Sequence, residues 1–282
     1  MSALEMVEPN SSQQKPGARL KPSSQLWLGA ELNEISGLEQ VAGRFWGIND
    51  SGNGAKLFAI DPTSGAIAAP LRIQGVNNDW EELARDSEYL YIADTGNNFA
   101  IRSELSIYKV ALSELAEPAS PLPAKRLNLR YADRKNLFPS RTHNYDSEAL
   151  VSVEGELWLF SKNRVDKRTK LYKVDLNQTF QQLSPLASYP VNGLITAADY
   201  NPDNKALLLL GYSRSRKQGH SFIWRVDVSE GMPDWSSART YRLSVEAQWE
   251  SILWQGRDTF VVAAEKSSWA GDARLATFRL PK

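Results

Sequence analysis

WEELARDSEYLYIAD, residues 80–94, joins two short runs of β-forming residues through a polar turn, and the chain repeats this arrangement. In each copy a short strand leads into a turn that contains Gly, Asp or Asn, and a more apolar strand follows. Apolar runs bounded by such residues are typical of β-strands. The other copies are ISGLEQVAGRFWGIND from Ile35, SEALVSVEGELWLFSK from Ser147, ITAADYNPDNKALLLLGY from Ile195 and WESILWQGRDTFVVAAEK from Trp249.

Further strands follow each copy, so the repeating unit is a four-stranded antiparallel meander. A third strand follows all five copies, and a fourth follows the first four. The fifth copy lacks a fourth strand, and the strand-like SSQLWLGAEL of residues 24–33 is expected to complete it. Closing a circular array in this way removes the open sheet edge. The sequence therefore predicts an all-β fold, a five-bladed β-propeller whose last blade is closed by an N-terminal strand.

A six-bladed propeller remains open as an alternative, because residues 99–145 leave room for a degenerate blade. A β-sandwich is disfavoured by the regular repeat. Residues 24–282 are expected to form a single propeller domain, since separate blades cannot bury their own faces. Residues 1–23 are polar and rich in Ser, Gln and Pro, which predicts a disordered lead.

Composition argues against several classes of function. Lys and Arg total 33, as do Asp and Glu, and this balance does not favour a nucleic-acid or membrane-surface protein. The absence of cysteine excludes disulfides and thiolate metal sites, and two histidines argue against a multi-histidine zinc site. No apolar run approaches the ~18 residues of a membrane-spanning helix.

One position in each copy is expected to face the central channel, because the first strand of a propeller blade lines that channel. Three of these positions are glutamates, and their carboxylates would repel one another. A calcium ion would relieve the repulsion and suits an all-oxygen ligand set, with magnesium as the second choice. The alternative is a wet channel whose glutamates are solvated or paired with Lys or Arg. The predicted metal ligands are Ser36, Glu81, Glu148, Thr196 and Glu250.

The ends of the second strands are expected to form a second ring, at the mouth of the channel. Asp50 and Asp94 lie in the glycine-rich turns INDSGNG and ADTGNN, which can expose backbone N–H groups to an anion. Carboxylates opposite basic residues could supply an acid or base to an anionic substrate. Ordinary turn capping by each Asp is the alternative. The candidates are Asp50 and Asp94 as catalytic residues, with Arg102, Lys162, Tyr212 and Lys266 binding substrate.

The five blade-start motifs (I-S-G-L, W-E-E-L-A, S-E-A-L, I-T-A-A-D and W-E-S-I) resemble those of the soluble calcium-activated nucleotidases, or apyrases. Those are five-bladed propellers with axial calcium, and their pattern of hydroxyl, Glu, Glu, hydroxyl, Glu matches the five positions above. NDSGN (49–53), NDWEELA (78–84) and IADTGNN (92–98) are also similar to bacterial secreted propellers called phytase-like esterases. The second resemblance implies a periplasmic or secreted protein. Tyr212 departs from the nucleotidase pattern, which has a basic residue there, and Asp94 is extra.

Two functions are therefore expected as alternatives. The first is a monomeric, calcium-dependent hydrolase of a phosphorylated or otherwise anionic small molecule. The second is a non-catalytic binding or scaffold propeller, with structural calcium and a mouth that holds a peptide or a sugar.

Overall fold

The computed structural model describes residues 4–8, 17–116, 121–134, 138–213 and 219–281. Within these ranges the chain forms five sheets and two short 3-10 helices, at Ala30–Leu32 and Leu112–Leu115. In chain order the strands are β1 (Glu5–Met6), β2 (Arg19–Leu20), β3 (Ser24–Trp27), β4 (Ile35–Val41), β5 (Arg44–Asn49), β6 (Lys56–Ile60), β7 (Leu71–Arg72), β8 (Glu82–Arg85), β9 (Tyr89–Asp94), β10 (Leu105–Ala111), β11 (Lys125–Tyr131), β12 (Ser147–Val153), β13 (Glu156–Ser161), β14 (Thr169–Val174), β15 (Phe180–Leu183), β16 (Ala187–Tyr189), β17 (Leu194–Asn201), β18 (Ala206–Ser213), β19 (His220–Ser229), β20 (Met232–Leu243), β21 (Gln248–Trp254), β22 (Thr259–Glu265) and β23 (Arg274–Arg279).

Each sheet is one blade. Blade 1 is β4–β7, blade 2 is β8–β11, blade 3 is β12–β14 with β16, blade 4 is β17–β20, and blade 5 is β21–β23 with β3. The inner strands β4, β8, β12, β17 and β21 contact one another in a closed ring. The five-bladed prediction is confirmed. The described part of residues 99–145, where a sixth blade was the alternative, holds only β10 and β11 as strands.

The N-terminal strand closes the last blade, as predicted. β3 pairs antiparallel with β23, so that Leu26 lies opposite Leu275 and Ser24 lies opposite Thr277. Hydrogen bonds between the two ends of the propeller domain therefore join the ring.

The lead that the sequence predicted to be disordered contributes two short edge strands. β1 pairs in parallel with β16 of blade 3, and β2 pairs in parallel with β20 of blade 4. β15 adds a similar parallel strand to β11 of blade 2. Residues 1–3 and 9–16 of the predicted lead lie outside the described residues.

The hydrophobic core is divided among the interfaces between blades. Five buried clusters are present in the described ranges, one between each pair of neighbouring blades. Trp80 and Trp249 lie in the 1–2 and 4–5 interfaces, and each indole N–H donates to a carbonyl four residues earlier, on Val76 and Val245. Their packing between blades was predicted from strand alternation. None of the described helices has the length and apolar character needed to cross a membrane.

Each inner strand has an extra residue at the position predicted to face the channel. In blades 1, 3, 4 and 5 the register of the first two strands shifts across Ser36, Glu148, Thr196 and Glu250. In blade 2, Ala93 accepts a hydrogen bond from the Glu81 N–H and also pairs with Glu82. A β-bulge of this kind redirects a side chain and increases the local twist. The repeated bulge therefore sets where the channel side chains point.

Candidate functional site

Hydroxyl groups tie neighbouring blades together at the positions of the axial glutamates. Ser36 Oγ donates to the carbonyl of Trp80 at 2.8 Å, and Thr196 Oγ1 donates to that of Trp249 at 3.1 Å. Thr95 Oγ1 makes the same contact with Ser147 O at 2.7 Å. The three accepting residues immediately precede Glu81, Glu250 and Glu148.

Replacing Thr196 with valine is expected to destabilise the ring, because the buried carbonyl of Trp249 loses its donor. Such a loss costs roughly 1–3 kcal/mol of the free energy of unfolding. Since the carboxylates carry most of the attraction for a cation, we expect the calcium-induced rise in Tm to persist in this variant. Thermal melting with and without calcium measures both effects, with Thr179→Val on the surface as the control. Loss of the calcium effect in Thr196→Val alone would instead make the hydroxyl a ligand.

Five carboxyl groups gather at one end of the channel, and we call them the carboxylate cluster. Glu81 belongs to two groups of three whose oxygen atoms all lie within 4.8 Å of one another. One group adds Asp50 and Asp79, and the other adds Asp146 and Glu148. The cluster therefore draws on blade 1, blade 2 and blade 3.

Asp79 and Asp146 were not predicted from the sequence. Each precedes an axial glutamate by two residues, in the repeated D-x-E of NDWEE and YDSEA. Residues two apart on an extended chain face the same side, so this repeat was the signal that could have identified them.

Two cations neutralise one side of the cluster. Lys162 Nζ forms a buried ion pair with Glu148, and Arg164 pairs with Asp146. Burial alone lowers the pKa of Lys162, but Glu148 and other neighbouring acids outweigh it and raise the pKa well above its usual value. Glu250 belongs to neither group of three, although it was predicted to share an ion with Glu81 and Glu148. Burial raises the pKa of Glu250 to about 7.

The other side of the cluster, Asp50, Asp79 and Glu81, has no ion pair among the described residues. The Glu81 side chain is buried and its Oε1 has no hydrogen-bond partner there. Burial, followed by repulsion from Glu148, raises the pKa of Glu81 well above its usual value. Burial, Asp50 and Asp146 raise the pKa of Asp79 to about 7. The three side chains offer only oxygen atoms and form no ion pair with a cationic side chain among the described residues, which suits a hard cation.

Gly96 leaves the space that Asp79 and Glu81 occupy. A Cβ at this position would overlap Glu81 Oε1 and Asp79 Oδ2 and would lie 2.5 Å from Asp79 Cγ. The glycine of the ADTGNN turn therefore forms one wall of the carboxylate cluster.

Strand pairing corrects the predicted ring at the channel mouth. The second residue of each bulge pairs with Ile48, Ala93, Phe160, Leu210 or Ala263. Two residues further along the chain, the equivalent positions are Asp50, Thr95, Lys162, Tyr212 and Glu265. The sequence analysis put Asp94 and Lys266 in this ring, and each is one residue away from the position that strand pairing gives, Thr95 and Glu265. A shift of one residue in a strand turns a side chain to the opposite face.

Asp94 is fully buried, and its carboxylate contacts the two residues that precede Trp80 and the side chain of Arg102. Its Oδ1 accepts from the Asp79 N–H at 2.9 Å and its Oδ2 from Asn78 Nδ2 at 2.7 Å. Arg102 pairs with Asp94 at 3.0 Å and donates to the carbonyls of Asp94 and Gly96. Both side chains therefore hold the turn that positions Asp79.

Lys266 also lies apart from the cluster. Its ammonium group is exposed and pairs with Asp272 at 3.2 Å. The mouth position of blade 5 belongs to Glu265, whose pKa is raised to about 8 by burial and then by Glu250 and Asp50.

A small basic pocket of about 200 Å³ adjoins the cluster, lined by Asn98, Phe99, Arg141 and Arg164. The Arg141 guanidinium lies 4.5 Å from the Phe99 ring centroid. Arg164 Nη2 donates to Asn98 Oδ1 at 2.6 Å while its other branch contacts Asp146. Arginine recognises planar or tetrahedral oxyanions through several N–H donors. The pocket therefore places an anion site beside a candidate cation site.

Comparisons with known proteins agree on the fold. No protein-family model and no curated protein sequence matches the chain. Among solved structures, Myxococcus xanthus glutaminyl cyclase is 15% identical, with a TM-score of 0.56, and the match covers 94% of this chain and 98% of that one. An exo-1,5-α-L-arabinanase from a bovine ruminal metagenomic library is 12% identical, with a TM-score of 0.52, and the match covers 86% and 91%. The chain spans 59% of Kuenenia stuttgartiensis hydrazine synthase, with 12% identity, 86% of this chain covered and a TM-score of 0.45.

The two matches with TM-scores above 0.5 agree with the propeller fold. At such low identity they do not extend to residues or reactions.

Proposed function

We propose that this protein is a divalent-cation-dependent hydrolase of a small phosphorylated molecule, with calcium as the preferred ion. The observation that carries the proposal is the buried, unpartnered Glu81 Oε1 beside Asp50 and Asp79, which form no ion pair among the described residues. Two similar folds, a glutaminyl cyclase and an arabinanase, are named as enzymes, which fits a catalytic use of this fold.

Glu81 and Asp79 would hold the ion, with Asp146 and Glu148 behind them. A bound divalent cation would polarise a phosphoryl oxygen and lower the pKa of a water molecule. Asp50 is more exposed than Asp79 and Glu81, and burial raises its pKa. It shares a hydrogen bond with Asp79 and would accept a proton from the attacking water.

The remaining charged groups divide into binding and positioning roles. Arg164 and Arg141 would bind the anionic group in the basic pocket, where their charge stabilises the transition state. Lys162 is buried against Glu148 and would position that carboxylate. Asp94 and Arg102 would act only through the turn that they hold.

Hydrolysis of phosphomonoesters and of nucleoside di- and triphosphates, with calcium, magnesium or chelator, tests the proposal. We expect turnover that chelation abolishes. Asp50→Asn should lower kcat by about 10²–10⁴, the usual contribution of a general base. Asp203→Asn, an exposed aspartate elsewhere on the protein, is the control. Thermal melting of both variants with calcium separates lost chemistry from lost metal.

The alternative is a binding propeller with structural calcium. It is favoured by the commitment of Asp94 and Arg102 to hydrogen bonds within the turn, because fewer groups remain for chemistry. If the calcium-loaded wild-type protein hydrolyses none of these phosphates, the hydrolase proposal fails and the binding propeller is the remaining function.

A further inference from the structure

A second concavity opens between blades 4 and 5, and we call it the ring pocket. Its volume is about 430 Å³, and its lining includes Tyr212, His220, Glu246, Gln248 and Trp269. Pockets for small ligands typically measure about 300–1,000 Å³.

The ring pocket adjoins the same channel mouth as the carboxylate cluster. Gln248 precedes Glu250 by two residues, as Asp79 and Asp146 precede Glu81 and Glu148. Tyr212 is the blade 4 residue of the mouth ring, and its ring centroid lies 5.3 Å from Lys162 Nζ, which pairs with Glu148. Tyr212 and Lys162 therefore connect the ring pocket with Glu148 of the cluster.

Trp269 gives the pocket an exposed aromatic surface. Its side chain is 64% exposed, although large apolar side chains are usually buried. The surrounding turn is fixed by reciprocal backbone hydrogen bonds between Ser267 and Gly271, at 2.9 and 3.0 Å. An exposed indole on a hydrogen-bonded turn is suited to stacking against a ring.

Polar groups on the other walls can recognise hydroxyl groups. Glu246 Oε2 accepts from the Ser221 N–H at 3.1 Å, and Ser213 Oγ lies 2.9 Å from His220 Nδ1. Together with the Gln248 amide they offer both donors and acceptors at the pocket. A sugar presents the matching combination, an apolar C–H face with hydroxyl groups at its edge.

We propose that the ring pocket binds the sugar ring of a sugar phosphate whose phosphoryl group lies between the cation of the carboxylate cluster and Arg164 of the basic pocket. This inference rests on the proposed function and names its substrate class. A nucleotide, which would place a planar base in the pocket, is the competing outcome.

Calorimetric titration of the calcium-loaded full chain tests the inference, with inorganic phosphate, glucose 6-phosphate, glucose and adenosine diphosphate as probes. We expect glucose 6-phosphate to bind at least about tenfold more tightly than phosphate, the effect of one good aromatic contact. Trp269→Ala should remove this gain and leave phosphate binding unchanged. Trp27→Ala is the matched control, because Trp27 is also exposed but lies on β3 outside the pocket.

Equal affinities for glucose 6-phosphate and phosphate would overturn the inference. So would a gain that survives Trp269→Ala, or a larger gain for adenosine diphosphate. If phosphate alone does not bind but glucose 6-phosphate binds through Trp269, the ring pocket stands and the anion site of the proposed function fails. If no probe binds, both proposals fail.

Discussion

Calcium is expected to lose its effect on the melting temperature when Gly96 is replaced with alanine. The new Cβ would overlap Glu81 Oε1 and Asp79 Oδ2, so both carboxylates must move. These are the ends of flexible side chains, and Gly96 is not among the glycines with positive φ. The propeller should therefore fold while the ligand geometry is lost.

The wild-type protein sets the scale of this effect. Calcium at about 100 times its Kd adds about 2.7 kcal/mol to the free energy of unfolding. For a chain of this size, that corresponds to a rise in Tm of roughly 5–10 °C. Gly256→Ala is the control, because a Cβ there has no neighbour within 4 Å, and it should keep the full rise. A full rise in Gly96→Ala, with unchanged metal content by elemental analysis, would place the cation elsewhere.

The stability of the chelated protein is expected to fall as the pH rises from about 5 to 8. The pKa of Asp79 is about 7 in the folded protein, above its ordinary value of 3.8. The folded state thus holds a proton that the unfolded state has already released. The contribution of this proton to the free energy of unfolding is fully present below 3.8, the pKa of Asp79 in the unfolded chain. It is lost as the pH rises through 7, at up to about 1.4 kcal/mol per pH unit.

Calcium should oppose this fall, because the ion replaces the proton as the partner of the carboxylates. The calcium-induced rise in Tm is therefore small at pH 5 and large at pH 8, as melting curves across this range would show. Asp79→Asn should make the profile of the chelated protein less steep, because Glu250 and Glu265 still titrate with raised pKa values, and it should reduce the calcium effect. Profiles that stay parallel with and without calcium at every pH would contradict a cation site at these carboxylates.

The blade count and the closing strand could be predicted because they depend on local signals. Apolar strands and polar turns recur along the chain. Because the last copy lacks a fourth strand, a strand from the N-terminal end of the domain must complete it. The packing of Trp80 and Trp249 between blades could be predicted because side chains alternate along a strand. The axial positions were predicted from the same alternation, and the bulges that the structure shows there were not visible in the sequence.

The mouth was harder to predict because its geometry depends on register. The turns between the first two strands differ in length from blade to blade, so counting residues placed Asp94 and Lys266 one position away from the mouth ring. Asp146 and Asp79 are significant only once blades 2 and 3 are neighbours. Arg141 and Arg164 lie in loops, whose side-chain directions no periodic pattern specifies.

The order in which the protein assembles follows from the positions of the carboxylate cluster and of the pairing between β3 and β23. The carboxylate cluster uses blades 1 to 3, so all its residues have been synthesised once β13 is complete. The seam between β3 and β23 must wait for the last blade, and it closes a loop of more than 240 residues. Local contacts form faster than distant ones. A cation bound as proposed would therefore join blades 1 to 3 before the circle is complete.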